Sequence, residues 1–243
     1  MLIVNADDWG RSAGETDAAF RCYQRGRITS VSAMVFMKDS ERAAEVANAN
    51  GLEVGLHLNF SEPFSDGRCP ESLTERHRRI AGFLKQNKYA HLLYNPSLRK
   101  EFAYSYNAQA EEFMRLFAKA PSHIDGHHHM HLCANLLLSK AIPAGMKMRR
   151  NFSFWPGEKS WLNRTYRTLV DCWLQRKYRL PDYFFDLTQS IRGKKMDRII
   201  ALARLSKVEV MTHPMHQFES DYLMSDQFQA LVGGLEIGSY AVV

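Results

Sequence analysis

An α/β fold built on a parallel sheet is predicted by three observations. Short apolar runs alternate with helical stretches along the whole chain, and connections of that kind make parallel sheets. The length of 243 residues suits a (β/α) barrel, which uses about 250 residues as one domain. Polar residues able to do chemistry collect at the ends of the predicted strands, where parallel α/β folds place their ligands. A single domain over 1–243 is the economical reading, with elaborated segments at 61–100 and 151–190 and no internal repeat or linker.

The elements follow in order. Leu2 to Val4 is an apolar run ending in polar residues, a buried strand. Thr16 to Arg25 carries Ala18, Ala19, Phe20 and Tyr23 near helical spacing. Thr29 to Met37 is apolar and β-branched, a second strand, and Ser40 to Ala49 a short helix with Ser40 as its predicted N-cap. Leu52 to Leu58 is the third strand, followed by a polar loop, Ser61 to Pro70. Helices are predicted near Leu73–Gln86 and Leu98–Ala118, the second with Phe102, Tyr106, Ala110, Phe113 and Phe117 on one stripe. Ser122 to Asp125 reads as a strand, His131 to Lys140 as a helix and Lys147 to Arg150 as a strand end. The stretch 151–194 is aromatic-rich and matches no period. Lys194–Leu205 then reads as helix, Val208–Met211 as strand, Asp221–Val232 as helix and Tyr240–Val243 as a last strand.

Composition excludes several classes. With 45% hydrophobic and 24% charged residues the chain is neither disordered nor too poor in apolar residues to build a core. No apolar run approaches the ~18 residues of a membrane span. Met1-Leu2-Ile3-Val4-Asn5-Ala6-Asp7-Asp8 lacks the basic start of a secretory signal. Cys22, Cys69, Cys133 and Cys172 are far apart, as expected of reduced thiols in a cytoplasmic protein. The net charge of +6 is spread out, densest at Arg76-His77-Arg78-Arg79 and Lys147-Met148-Arg149-Arg150, and reads as solvated charge rather than a nucleic-acid surface.

Four strand-end segments carry the chemistry: Asn5-Ala6-Asp7-Asp8-Trp9-Gly10, Gly55-Leu56-His57-Leu58-Asn59, the run from Ser122 to His131, and Val210-Met211-Thr212-His213-Pro214-Met215-His216. They contain eight of the ten histidines, which scattered surface histidines would not do. Adjacent Asp7 and Asp8 point to opposite sides if extended, so two roles are open to them; a solvated turn before Gly10 would explain them equally well. The histidines between His123 and His131, with Asp125, suit a divalent metal such as Zn²⁺, one or two of them reaching it and the others orienting those. Taken alone, His57 reads as a core histidine and His213 as a turn residue; their shared placement at strand ends argues for function.

Together, these segments resemble the YdjC-like carbohydrate deacetylases, including their chitooligosaccharide and hopanoid-associated members. The matching stretches are Ile3 to Gly10, Gly55 to Leu58, His123 to His131 and Val210 to Pro214, with Gly238-Ser239-Tyr240 at the end. The resemblance implies an irregular (β/α) barrel related to the NodB-type polysaccharide deacetylases, and one divalent metal, Mg²⁺ in the family, held by Asp8, His57 and His127. It implies Asp7 as general base and His213 beside the reacting group. It also allows a homodimer, although no interface stripe is visible. Where the family commonly has Phe and often Ser, this chain has Trp9 and Gly126.

The activity implied is hydrolysis of an N-acetyl group on an amino sugar, an N-acetylated oligosaccharide or a glycolipid, releasing acetate. In that reading Asp7 takes a proton from the attacking water and His213 protonates the leaving amine. Arg149 is expected to steady the oxyanion and Trp9 to face the substrate; Phe60 and aromatics of 151–190 are available to stack on sugar rings, although core packing accounts for most of them. Two rivals predict different things. A metal-dependent phosphohydrolase would need more carboxylate ligands for a second metal. A non-catalytic glycan-binding protein with a structural metal would leave Asp7 dispensable.

Overall fold

The computed structural model describes residues 1–243. In chain order the elements are β1 (Leu2–Trp9), α1 (Ala13–Gln24), β2 (Ser30–Ala33), α2 (Ser40–Ala49), β3 (Val54–Leu58), α3 (Glu71–Lys85), α4 (Arg99–Phe117), β4 (Ile124–Gly126), α5 (Ala134–Leu137), α6 (Trp161–Gln175), β5 (Tyr183–Asp186), α7 (Leu187–Arg192), α8 (Met196–Ala203), β6 (Val208–Thr212), α9 (Gln217–Met224), α10 (Asp226–Val232) and β7 (Ile237–Gly238). The α/β class predicted from the alternation is the one that forms.

The chain divides into two compact units, one of Met1–Asp7, Asp17–Val31 and Ala144–Val243, the other of Asp8–Thr16 and Ser32–Pro143. In the first, the strands run in the order β2-β1-β6-β5 with β7 beside β1. β1 and β6 pair in parallel from Leu2 beside Val208 to Ala6 beside Thr212. The register therefore stops one residue short of Asp7 and His213. In the second unit the order is β4-β3-β2, and parallel β3 and β4 set His57 beside Asp125. Both faces of such strands are covered, so β1, β3 and β6 are buried throughout.

Several boundaries depart from the sequence expectation for local reasons. β2 ends at Ala33 rather than Met37, ahead of a left-handed Phe36 (φ 58°) that no strand accommodates. Ser40 is the first helical residue of α2, not its cap; its hydroxyl accepts from the Met37 N–H and donates to the Met34 carbonyl. The helix expected at His131–Lys140 is a 3₁₀ turn over His127–Leu132 followed by the single turn α5. Lys147 makes only an isolated bridge to Arg179. The stretch 151–194 contains α6, β5 and α7. The helix expected over Asp221–Val232 is broken at Ser225, whose extended backbone and hydroxyl cap α10. The last predicted strand is a 3₁₀ turn at Tyr240–Val242.

Candidate active site

The second unit gathers Asp8, His57 and His127, whose ligand atoms lie within 4.8 Å of one another. Asp8 sits at the end of β1 with φ 64°, a left-handed conformation that a residue with a Cβ adopts at a cost and that recurs where a side chain must be aimed. His127 Nδ1 is 2.9 Å from Asp8 Oδ1 and His57 Nε2 is 3.4 Å from the same oxygen. Burial pushes the Asp8 carboxyl up, but hydrogen bonds from His127 and His57 and the charges of both rings outweigh it and hold it well below the usual carboxylate range.

The strand register explains how His57 is oriented. Its Nδ1 is 2.8 Å from Asp125 Oδ1, on the neighbouring strand, and the Ser32 hydroxyl donates to Asp125 Oδ2 at 2.8 Å. A carboxylate on Nδ1–H fixes the tautomer and leaves Nε2 as the donor atom facing Asp8. Gly55 makes room for the neighbouring His123 ring, since a Cβ at 55 would lie 2.3 Å from its Cε1. The buried His127 Nε2 makes no hydrogen bond, although Glu62 Oε2 stands 3.1 Å away. A carboxylate and two imidazoles, one with an unused buried ring nitrogen, fit a divalent ion.

The first unit holds Asp7 and His213. Asp7 accepts two hydrogen bonds from the Arg149 guanidinium, both 2.7 Å, and one from Asn5 at 3.0 Å. Arg149 is fully buried and turns its other edge to Glu209, at 2.8 Å from Nε. Glu209 also accepts from the Tyr240 hydroxyl. Beyond β6, the His213 backbone N–H donates to the Glu219 carboxylate, which also accepts from Thr212 and Thr188. Asp186 has a raised pKa, from burial and then from the charges of Glu219 and Asp7, with His213 opposing.

Residues 1–233 match the model of a family described as YdjC-like protein. The chain belongs to that family. Among relatives, a chitooligosaccharide deacetylase of Proteus mirabilis (strain HI4320) is 31% identical over 88% of this chain and 81% of its own length. One of the same name from Serratia marcescens is 34% identical over 54% of this chain, and this YdjC-like chain spans only 51% of that relative's length. A crystal structure from Enterococcus faecalis V583, assigned provisionally to cellobiose-phosphate cleavage, superposes with a TM-score of 0.67 over 99% of this chain and 97% of its own. At 20% identity that likeness establishes the fold alone.

Three expectations for the YdjC-like chain need correction. Trp9 does not face a ligand: it is fully buried, and its indole N–H donates to the Ala43 carbonyl. Phe60 is equally buried, against Phe102. Arg149 directs its guanidinium onto Asp7 and Glu209, because a buried cation needs carboxylate partners; it acts as a clamp rather than an oxyanion donor. Within the histidine run the chain turns sharply, with His128 and His129 both left-handed at φ 52° and 58°.

Four contributors escaped the sequence reading. Glu62 approaches His127, Ser61 bonds His128 Nδ1 at 2.9 Å, and Arg11 joins Glu62 at 2.7 Å while lying 3.6 Å from Asp8. Ser61 and Glu62 follow closely on β3, so the strand-end rule would have found them. Glu209 announced itself as a charge within the apolar run Val208-Glu209-Val210, which demands a buried counter-ion.

Proposed function

We propose that this protein is a metal-dependent carbohydrate deacetylase that removes the N-acetyl group from an amino sugar, as part of an N-acetylated oligosaccharide or a glycolipid, and releases acetate. The cluster of Asp8, His57 and His127 carries this reading, and the chitooligosaccharide deacetylases among the relatives support it. One divalent ion at these residues, Mg²⁺ on the family resemblance or Zn²⁺ on the donor set, supplies when bound a Lewis acid for the acetamide carbonyl and the attacking water.

The remaining steps belong to the chain's own side chains. Asp7 accepts the proton of the attacking water, and the two-point grip of Arg149 together with Asn5 fixes the direction its carboxylate faces. His213 gives a proton to the amine nitrogen as the C–N bond breaks, so that acetate and a free amino sugar leave. Asp125 keeps His57 in the tautomer that presents Nε2. A cytoplasmic location agrees with four free cysteines.

The test is acetate release from N-acetylated chitooligosaccharides before chelation, after it, and after return of Mg²⁺ or Zn²⁺. Acetate that stops on chelation and returns with one of the ions is the expected result. Acetate indifferent to chelation removes the metal from the reading. No acetate from any N-acetylated sugar with the ion bound would favour a glycan-binding protein.

A further inference from the structure

Helix α6 is turned inside out. At about 100° per residue, Trp161, Leu162, Thr165, Tyr166, Leu169 and Trp173 fall on one half of its circumference. That half faces solvent: Trp161 is 71% exposed, Leu162 62%, Leu169 65% and Tyr166 42%. The opposite half carries the buried residues, Asp171 and Leu174, together with Arg167. Single exposed apolar residues are ordinary, but four large ones on one helix face form a patch.

The charge around that patch is mainly positive. Between positions 158 and 182 the cations are Lys159, Arg164, Arg167, Arg176, Lys177 and Arg179, against the acids Glu158, Asp171 and Asp182. Asp171 is buried and paired with Arg150 at 2.7 Å. Arg164 and Thr168 line a surface recess beside Trp161 and Leu169, and also a cavity of about 490 Å³ where Arg150 and Arg167 face the carboxylates of Asp171 and Asp182. Within it Arg167 bonds the neutral Asn163 side chain at 2.9 Å and lies over the Phe154 ring at 5.2 Å. Burial lowers its pKa, and the charges of Tyr166 and Asp171 oppose the shift.

We propose that α6 is a membrane-surface element: its outward apolar face enters the headgroup region of an anionic phospholipid bilayer, and Arg164, in the recess beside Trp161 and Leu169, takes up a lipid phosphate. Tryptophan, tyrosine and leucine on one face with arginine and lysine at its borders is the composition of a helix that lies in the interface. Lys177 over the Trp173 ring, 4.4 Å from its centroid, repeats that pairing at the far end. A second copy of this chain is a poorer occupant. A two-fold contact through this face would bring the same cations against each other. No helix of the protein is long and apolar enough to cross a membrane, so the contact is with the surface.

Sedimentation of the full chain with phosphatidylcholine vesicles, with and without phosphatidylglycerol, tests this. The chain should bind the anionic vesicles, lose binding as salt rises, and bind pure phosphatidylcholine poorly. Leu162→Ser with Leu169→Ser should weaken binding roughly tenfold or more, since two apolar side chains no longer leave water. Arg164→Gln should weaken it about fivefold, the worth of one cation near such a surface. Leu162 and Leu169 lie on the exposed helix face and Arg164 lines a surface recess, and an unchanged melting temperature confirms that the variants fold. No binding to anionic vesicles at low salt overturns the proposal. Equal binding by the double-leucine variant also overturns it. So does a concentration-dependent dimer, abolished by that variant, in a chain that ignores vesicles.

Discussion

Asp7 and Asp8 share a peptide bond, yet their carboxylates are compensated by different chemistry. Asp7 rests on a permanent cation: Arg149 bonds both of its oxygens at 2.7 Å, and Glu209 balances the guanidinium from behind. Asp8 rests on His57 and His127, groups whose charge depends on protonation and whose neutral nitrogens are metal donors. An ion would replace protons beside Asp8 and would have to displace an arginine beside Asp7. Extended backbone aims the first side chain; the left-handed backbone at Asp8, φ 64°, aims the second. The proposed division of labour, in which Asp8 binds the ion and Asp7 moves the proton, rests on this difference.

The most direct way to break this comparison is to neutralise each aspartate in turn. Asp8→Asn should lose the metal, and activity with it. Asp7→Asn should keep the metal and lose roughly 10²–10⁴-fold in rate, the usual worth of a positioned acid–base group. Acetate release measured beside metal content separates them. Metal lost from Asp7→Asn but retained by Asp8→Asn would reverse the two roles, and full activity in Asp7→Asn would leave Asp7 out of the mechanism.

The clamp predicts a second contrast, in stability. Arg149→Met takes the guanidinium from two buried carboxylates, Asp7 and Glu209, both under 5% exposed. Removing one partner of a buried ion pair costs about 3–5 kcal/mol. Denaturant unfolding should show that loss, and Arg149→Met combined with Glu209→Gln should recover part of it. A single variant within about 0.5 kcal/mol of wild type, the range of an ordinary surface change, would mean that the network does not hold Asp7.

These two regions were not equally legible in the sequence. The Asp8 cluster was readable because its residues lie at or just beyond strand ends, and the parallel-sheet rule names strand ends in advance. The Asp7 clamp was not, because Arg149 and Glu209 are 60 positions apart and only the pairing of β1 with β6 brings Glu209 close to Asp7. Trp9 was misread because position in a strand does not say which face is lined by a helix; α2 covers it and takes its N–H. Helix α6 does carry a helical period, with Trp161, Leu162, Tyr166, Leu169 and Trp173 on one half, but it was passed over inside an aromatic-rich stretch. The turn at His128 and His129 was hidden because consecutive left-handed residues other than glycine leave no compositional trace.

The smallest expected effects grade the metal site by distance from the ion. Asp125→Asn, one step from His57, should weaken metal affinity about 10–100-fold, as loss of a ligand-orienting carboxylate does. Ser32→Ala is one step further. The Ser32 hydroxyl donates to Asp125 Oδ2 at 2.8 Å and lies 3.0 Å from His123 Nε2, so it steadies the carboxylate that steadies the ligand. Removing it costs one hydrogen bond to a charged group, about 1.5–3 kcal/mol of folding stability. Only part of that should reach the metal, because Asp125 remains beside His57 through the pairing of β3 with β4. The expected result is a lowered melting temperature with only a few-fold change in affinity, read by competition against a chelating indicator. A loss as large as that of Asp125→Asn would show that the hydroxyl, not the strand register, sets the direction of the carboxylate. No change in either quantity would end the relay at Asp125.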